Sequence, residues 1–194
     1  MSAMNKPIRW GILGTGLIAA EFAKAMHHVR DAELLSVGSR TRSSARDFAN
    51  AHGIAHAHAS YEALAEDPNV DVVYIATPHT LHFENTLLCL QAGKHVLCEK
   101  PFALNTAQVT DMVIAAREHK LFLMEAMWMR FIPLIRDLVR RLAENEIGEV
   151  KMLQADFGFR APLDPSSRLF NLDLGGGALL DIGIYPLAFA TLLL

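Results

Sequence analysis

A turn with the spacing of a phosphate cradle stands near the start of the chain. Gly14-Thr15-Gly16-Leu17-Ile18-Ala19 reads G-x-G-x-x-A, directly after an apolar run and at the opening of a helix-like one. Gly14 permits a tight turn, Gly16 lets backbone approach a pyrophosphate, and Ala19 allows close helix packing. The helix start adds N–H donors and a positive dipole end. A second signal, Ser39-Arg40-Thr41-Arg42, ends the next apolar run. A dinucleotide fold uses an acid there for a ribose 2′-hydroxyl and an arginine for a 2′-phosphate. Guanidiniums beside hydroxyls, with no carboxylate, favour NADP(H), NAD(H) being the alternative. As solvated charges leading into a helix, Arg40 and Arg42 would carry no preference. Glu99-Lys100-Pro101 and Thr77-Pro78-His79 each follow an apolar run, at the edge where ligands of open α/β sheets collect. Asp181 stands amid Ala178-Leu179-Leu180 and Ile182-Gly183-Ile184. An acid in that setting needs a partner or a function, or the dipole of a helix opening after the glycines.

The elements that must position these residues follow from periodicity. Residues 8–13, 32–39, 70–76 and 95–98 read as short buried strands. Residues 17–28, 43–52, 61–66, 81–92 and 106–119 read as helices, with Gly53 and Gly93 as stops and Ser60 and Asn105 as caps, Gln108 in capping-box position. Strand and helix alternate for most of the chain, which predicts a Rossmann-type, doubly wound parallel sheet. After residue 124 the pattern changes. Pro133 opens an amphipathic helix to about residue 145, residues 149–157 alternate with period two as a half-buried strand would, and an apolar helix follows Gly175-Gly176-Gly177. The expected division is a dinucleotide-binding domain over 1–124, then, over 125–194, the beginning of an α+β domain with an open antiparallel sheet, apparently incomplete.

Composition narrows the function classes. The 194 residues carry 18 Lys+Arg against 21 Asp+Glu, a net charge of -3, without the basic footprint of a nucleic-acid binder. At 52% hydrophobic and 20% charged residues the chain can bury a core. Cys89 and Cys98 offer no disulfide framework, and no export segment opens the chain, so a reducing cytoplasm is expected. The longest clean apolar run, 187–194, is too short for a bilayer, and no membrane partner is expected. His52, His56 and His58 straddle a helix end and a short strand with no neighbouring carboxylate or cysteine to complete a ligand set. They read as solvated loop residues, with no metal site.

The glycine turn, Ala76-Thr77-Pro78-His79 with His82, Gly93-Lys94-His95-Val96-Leu97-Cys98-Glu99-Lys100-Pro101, and Gly176-Gly177 with Asp181-x-Gly183-x-Tyr185 together resemble the Gfo/Idh/MocA oxidoreductases. Glu125-Ala126-Met127-Trp128-Met129-Arg130-Phe131 and Tyr185 are most similar to the dimeric dihydrodiol dehydrogenase branch, many other members carrying histidine at the tyrosine position. The resemblance implies hydride transfer between a nicotinamide and a secondary alcohol or carbonyl of a sugar-like or diol substrate. It implies Lys100 beside the nicotinamide, Tyr185 as the base for the hydroxyl proton, and Asp181 as a substrate-orienting acid. It implies cofactor contacts from Thr77, Pro78, His79, His82 and Glu99, substrate contacts from Trp128 and Arg130, and a homodimer through the second domain. A phenol is a poor base at neutral pH unless a cation stabilises its anion, which is the use given to Lys100. Asp181 precedes Tyr185 by four residues, so a regular helix would set both on one face. By spacing alone Lys100 reads as a surface lysine, Tyr185 as a core tyrosine, and Trp128 with Arg130 as packing. A binding module that holds NADP(H) without turnover is the competing expectation.

Overall fold

The computed structural model describes residues 6–194, which form two compact units, one ending at Glu125 and one spanning Ala126–Leu194. In the first, β1 (Ile8–Leu13), β2 (Ala32–Gly38), β3 (His56–His58), β4 (Val72–Ile75), β5 (His95–Cys98) and β6 (Leu123–Glu125) make one sheet in the order β3-β2-β1-β4-β5-β6. Every pairing is parallel. Helices α1 (Leu17–Met26), α2 (Arg42–His52), α3 (Tyr61–Ala65), α4 (His82–Gln91) and α5 (Thr106–Glu118) connect the strands. The chain winds outward from β1 to β3 and then restarts beside β1 at β4. The crevice between the C-terminal ends of β1 and β4 is therefore the switch point where ligands of such sheets bind.

The helix ends obey the local chemistry read from sequence. Thr41 Oγ1 accepts from Ser44 N (3.2 Å), Ser60 Oγ from Ala63 N (3.1 Å) and Asn105 Oδ1 from Gln108 N (3.0 Å). The Gln108 side chain reaches back one residue further than a capping box predicts, accepting from Leu104 N at 3.0 Å. Leu13, Leu64, Val73, Ile75, Leu90 and Val96 are wholly buried and belong to one continuous core. Lys94 is buried too, its Nζ donating to the carbonyls of Asp67 (2.7 Å) and Val70 (2.8 Å) in the turn before β4.

The second unit contains α6 (Pro133–Ala143), a π-helical turn at Leu179–Gly183 and α7 (Ile184–Leu193). Residues 149–157, expected as a strand, form none, and nearly all are exposed. Their alternation supplies two faces, but a strand also needs a neighbour to take its N–H and C=O groups. The described residues of this unit contain no other strand. The core is small: Met127, Met129 and Ala188, with Ile132, Ile184, Tyr185 and Phe189 packed on them. Leu172–Leu193 is long and apolar enough to cross a membrane by length and composition, which the shorter run 187–194 is not. It is not one regular helix, because Gly175 takes φ +71 and the π turn precedes α7.

Candidate functional site

The glycine turn sits on the switch point. Gly14 adopts φ +104 and its N–H donates to Gly38 O at 2.9 Å. A Cβ there would lie 2.7 Å from Ala76 O, so only glycine lets the turn rest on the backbone leaving β4. Gly16 differs, because a Cβ on it would meet nothing within 4 Å. The room above Gly16 is what a pyrophosphate at the start of α1 needs, and Leu17, 91% exposed, and Ile18 border it. Ala19 is wholly buried, as the close helix packing requires, and Thr15 is half-buried between them. At the end of β2, Ser39 is buried and its N–H donates to His58 O (3.2 Å), while Arg40 and Arg42 are exposed. Their guanidiniums stand free of the core at the edge where a 2′-phosphate would present itself.

The ends of β4 and β5 are bound together by a buried polar network. His82 was expected to touch cofactor, but it is 1% exposed, with Nε2 3.0 Å from Thr77 O and Nδ1 2.8 Å from Pro101 O. Both ring nitrogens face backbone carbonyls, and the neutral ring, with one N–H, donates to one of the two, so His82 braces the Thr77 and Pro101 loops from inside the fold. Burial lowers its pKa against the pull of the two carbonyls. Asn85, one helical turn after His82 on α4, donates to Thr77 Oγ1 at 3.0 Å. Glu99 is likewise buried: Tyr74 donates its hydroxyl to Oε1 (2.5 Å) and the Lys100 N–H donates to Oε2 (3.1 Å). Burial pushes the Glu99 carboxyl above its ordinary range despite those donors. The Tyr74 ring stacks on Phe22 of α1 at 3.8 Å. Glu125, ending β6, accepts from Phe102 N (2.9 Å) beyond the cis Lys100–Pro101 bond. Thus Lys100, half-buried, and the buried Thr77 and His79 sit on a braced edge, while Pro78 is exposed. Sequence reasoning missed Tyr74 and Asn85, of which only Asn85 left a trace, its three-residue spacing from His82.

The histidines also depart from expectation. His56 and His58 stand on β3 rather than in a loop, and the carboxylate absent from their neighbourhood in sequence arrives as Asp67.

In the second unit Tyr185 is half-buried and accepts a hydrogen bond from Trp128 Nε1 at 2.9 Å, the rings lying edge to face at 5.4 Å. Phe157 meets Tyr185 edge-on at 5.2 Å, a contact no periodicity announces because residue 157 lies outside helix and strand. Asp181 finds its partner in Arg168, whose Nη1 donates to Oδ1 at 3.1 Å. The two expected partners on one helical face are separated by the end of the π turn, which carries Asp181, while Tyr185 belongs to α7. Gly176 is required by contact, since a Cβ would lie 2.6 Å from Asn171 O. Arg130 is exposed. The hollow between α6 and the end of α7, lined by Val139, Leu142, Val150 and Leu192, contains none of these residues.

Two family descriptions match the chain: "Oxidoreductase family, NAD-binding Rossmann fold" over residues 8–127 and "GFO/IDH/MocA C-terminal domain" over 135–194. The curated trans-1,2-dihydrobenzene-1,2-diol dehydrogenase of Xenopus laevis is 44% identical over 186 residues, 95% of this chain and 56% of that protein. The crystal structure of aldose-aldose oxidoreductase from Caulobacter crescentus, complexed with glycerol, superposes with TM-score 0.89 at 30% identity, covering 97% of this chain and 58% of that one. A 3-ketoreductase from Actinomadura kijaniata in complex with NADP and TDP-benzene gives 0.83 at 34%, covering 97% and 57%. The chain spans about half the length of the curated relatives it matches, the Xenopus laevis protein being covered to 56%.

Proposed function

The chain belongs to the Gfo/Idh/MocA oxidoreductases and carries their NAD-binding Rossmann fold, and from that premise we propose an NADP-dependent dehydrogenase acting on a secondary alcohol or carbonyl of a diol or sugar-like molecule. The observation that carries it is the Gly14 turn seated on Ala76 at the switch point, with open room over Gly16. These residues fit a dinucleotide: Gly14 to Ala19 and the start of α1 would hold the pyrophosphate, Ser39, Arg40 and Arg42 the 2′-phosphate, and Thr77, Pro78 and His79 the nicotinamide end. The bound nicotinamide supplies the hydride acceptor or donor. The relatives' names, a diol dehydrogenase and a ketoreductase in complex with NADP, support the substrate class.

In this reading Tyr185 acts as its phenolate and takes the substrate hydroxyl proton to become the neutral phenol, and the part the family resemblance gives the Lys100 ammonium is to stabilise that anion. Asp181, turned by Arg168, orients the substrate hydroxyl, and Trp128 and Arg130 bound the substrate. Glu99 and His82 act through Lys100 and Thr77 as positioning residues. Self-association through the second unit belongs to the same reading. So does a reducing cytoplasm, which suits the buried free thiols of Cys89, pushed up to about 12, and Cys98, also raised.

Titration of the purified chain with NADPH and NADH at one salt concentration tests it. Tighter NADPH binding is expected, and Arg40→Ala should erase the difference. Binding of neither cofactor overturns the reading. A second reading, NADP(H) binding without turnover, is favoured by the strandless second unit. Cofactor binding with no NADPH formed or consumed across trans-dihydrodiols, aldoses and ketoses would select it.

A further inference from the structure

The edge strand β3 carries a donor set that the cofactor reading leaves unused. His56 and His58 are two residues apart, so their side chains stand on the same face of the sheet. The parallel register sets them beside Ser36 and Gly38 of β2. Asp67, in the turn after α3, brings its carboxylate to that face. Its Oδ2 lies 3.0 Å from His58 Nε2 and 3.5 Å from His56 Nδ1, and the three donor atoms all fall within 4.8 Å of one another. The carboxylate is buried and already aimed, taking the Ser36 hydroxyl at 3.0 Å and the Asn69 N–H at 2.8 Å. The imidazoles are not sealed off: His56 is 46% and His58 23% exposed at the side chain. β3 is the last strand of its sheet, so a hydrated ion reaches the group without crossing the core.

We propose that His56 Nδ1, His58 Nε2 and Asp67 Oδ2 bind one divalent transition-metal ion of the zinc class, with water completing its shell. Ligands about 2.1 Å from a common ion are about 3.0–3.5 Å apart when they subtend roughly 90–110° at it. The two spans measured from Asp67 have those lengths. Two imidazoles with one carboxylate suit zinc and its neighbours, whereas magnesium and calcium take oxygen shells. Asn69 fixes the carboxylate through its other oxygen, Oδ1, and Ser36 donates to a second lone pair of Oδ2 itself, orienting it as outer partners of metal ligands do. The ion ties the edge strand to the turn leading into β4, and it stabilises the fold by mass action because the unfolded chain does not hold the three donors together.

Calorimetric titration of the chelator-stripped full chain with zinc chloride, paired with thermal melts, tests the site. One ion per chain and a rise in melting temperature with zinc are expected. His56→Gln and His58→Gln should each weaken zinc binding about tenfold or more, and the metal-free melts of the variants report that they fold. Cobalt(II) should give a visible absorption band in the wild type that both variants lose. No saturable zinc binding overturns the proposal, as does undiminished binding by the His56→Gln/His58→Gln double variant, which would assign the zinc to the remaining histidines. NADPH affinity plays no part in these readouts, so the proposal and the cofactor reading fail separately.

Discussion

The two units spend their apolar residues in opposite ways. In the first, six strands satisfy one another's backbone groups, and side chains such as Leu13, Leu64 and Val73 lose all contact with solvent. In the second, the buried set is Met127, Met129 and Ala188, while Phe131, Leu134, Phe159, Leu163 and Leu187 are more than half exposed. The difference is one of hydrogen-bonding partners before it is one of hydrophobicity. A parallel sheet can be buried on both faces because its ladder leaves few polar groups unmet. A unit of helices and irregular chain has no such ladder over residues 149–157. The glycine-turn edge is thus fixed by many mutually supporting bonds, whereas the residues proposed for the substrate side rest on a few: Trp128 on Tyr185, Phe157 on Tyr185, Arg168 on Asp181.

The largest effect should come from the deep core. Leu64→Ala, emptying a wholly buried position that packs against Gly11 and Gly38, is expected to cost about 2–5 kcal/mol in urea unfolding. Met129→Ala, in the thin cluster of the second unit, should cost about 1–2 kcal/mol, because its surroundings can close up. Equal costs would break the comparison between the units. Next comes the glycine turn. Gly14→Ala forces a side chain into φ +104 and against Ala76 O, so stability should fall by about 1–3 kcal/mol along with NADPH binding. Gly16→Ala meets no protein atom within 4 Å; it should leave stability within about 0.5 kcal/mol and weaken NADPH alone. A Gly16→Ala variant that binds NADPH normally would remove the pyrophosphate from this turn.

The pH dependence sharpens the account of the braced edge. His82 is held neutral in the fold with its pKa below the ordinary 6.5, so the unfolded chain takes up the proton first as pH falls. Its contribution to stability is intact above 6.5 and shrinks as pH drops below that value toward the folded pKa. Urea midpoints should therefore decline more steeply between neutral and mildly acidic pH in the wild type than in His82→Gln, and parallel profiles would contradict the assignment. A small effect on stability is expected at Tyr185→Phe, which removes the acceptor of an exposed indole. About 0.5–1 kcal/mol should be lost, with a shift in tryptophan emission and, under the proposed function, loss of turnover. A larger loss of stability would mean that the second unit depends on this pair more than its exposure suggests.

Much of the first unit was legible in the sequence because its signals are local. Strand and helix boundaries came within a few residues wherever Gly53, Ser60 or Asn105 marked an end, since caps and stops act on backbone groups one turn away. The turn of Gly14 and Gly16 and the arginines after β2 were readable for the same reason. What the sequence could not read were destinations. His82 and Glu99 carry the polar groups a cofactor contact would use, yet their atoms are taken by Thr77, Pro101, Tyr74 and Lys100. Asp67 and the histidines of β3 meet only because the parallel register brings Ser36 and His56 side by side and the turn after α3 returns over them. The alternation of 149–157 promised a strand but could not name a neighbour for it.

The sequence by itself determined the alternating α/β pattern and the dinucleotide turn, because each depends on residue type and short spacing. Tertiary structure alone decided which polar groups remain available to a ligand and which are consumed as braces. That choice is made by burial and hydrogen-bond partners from distant segments, where each donor and acceptor can be satisfied only a limited number of times.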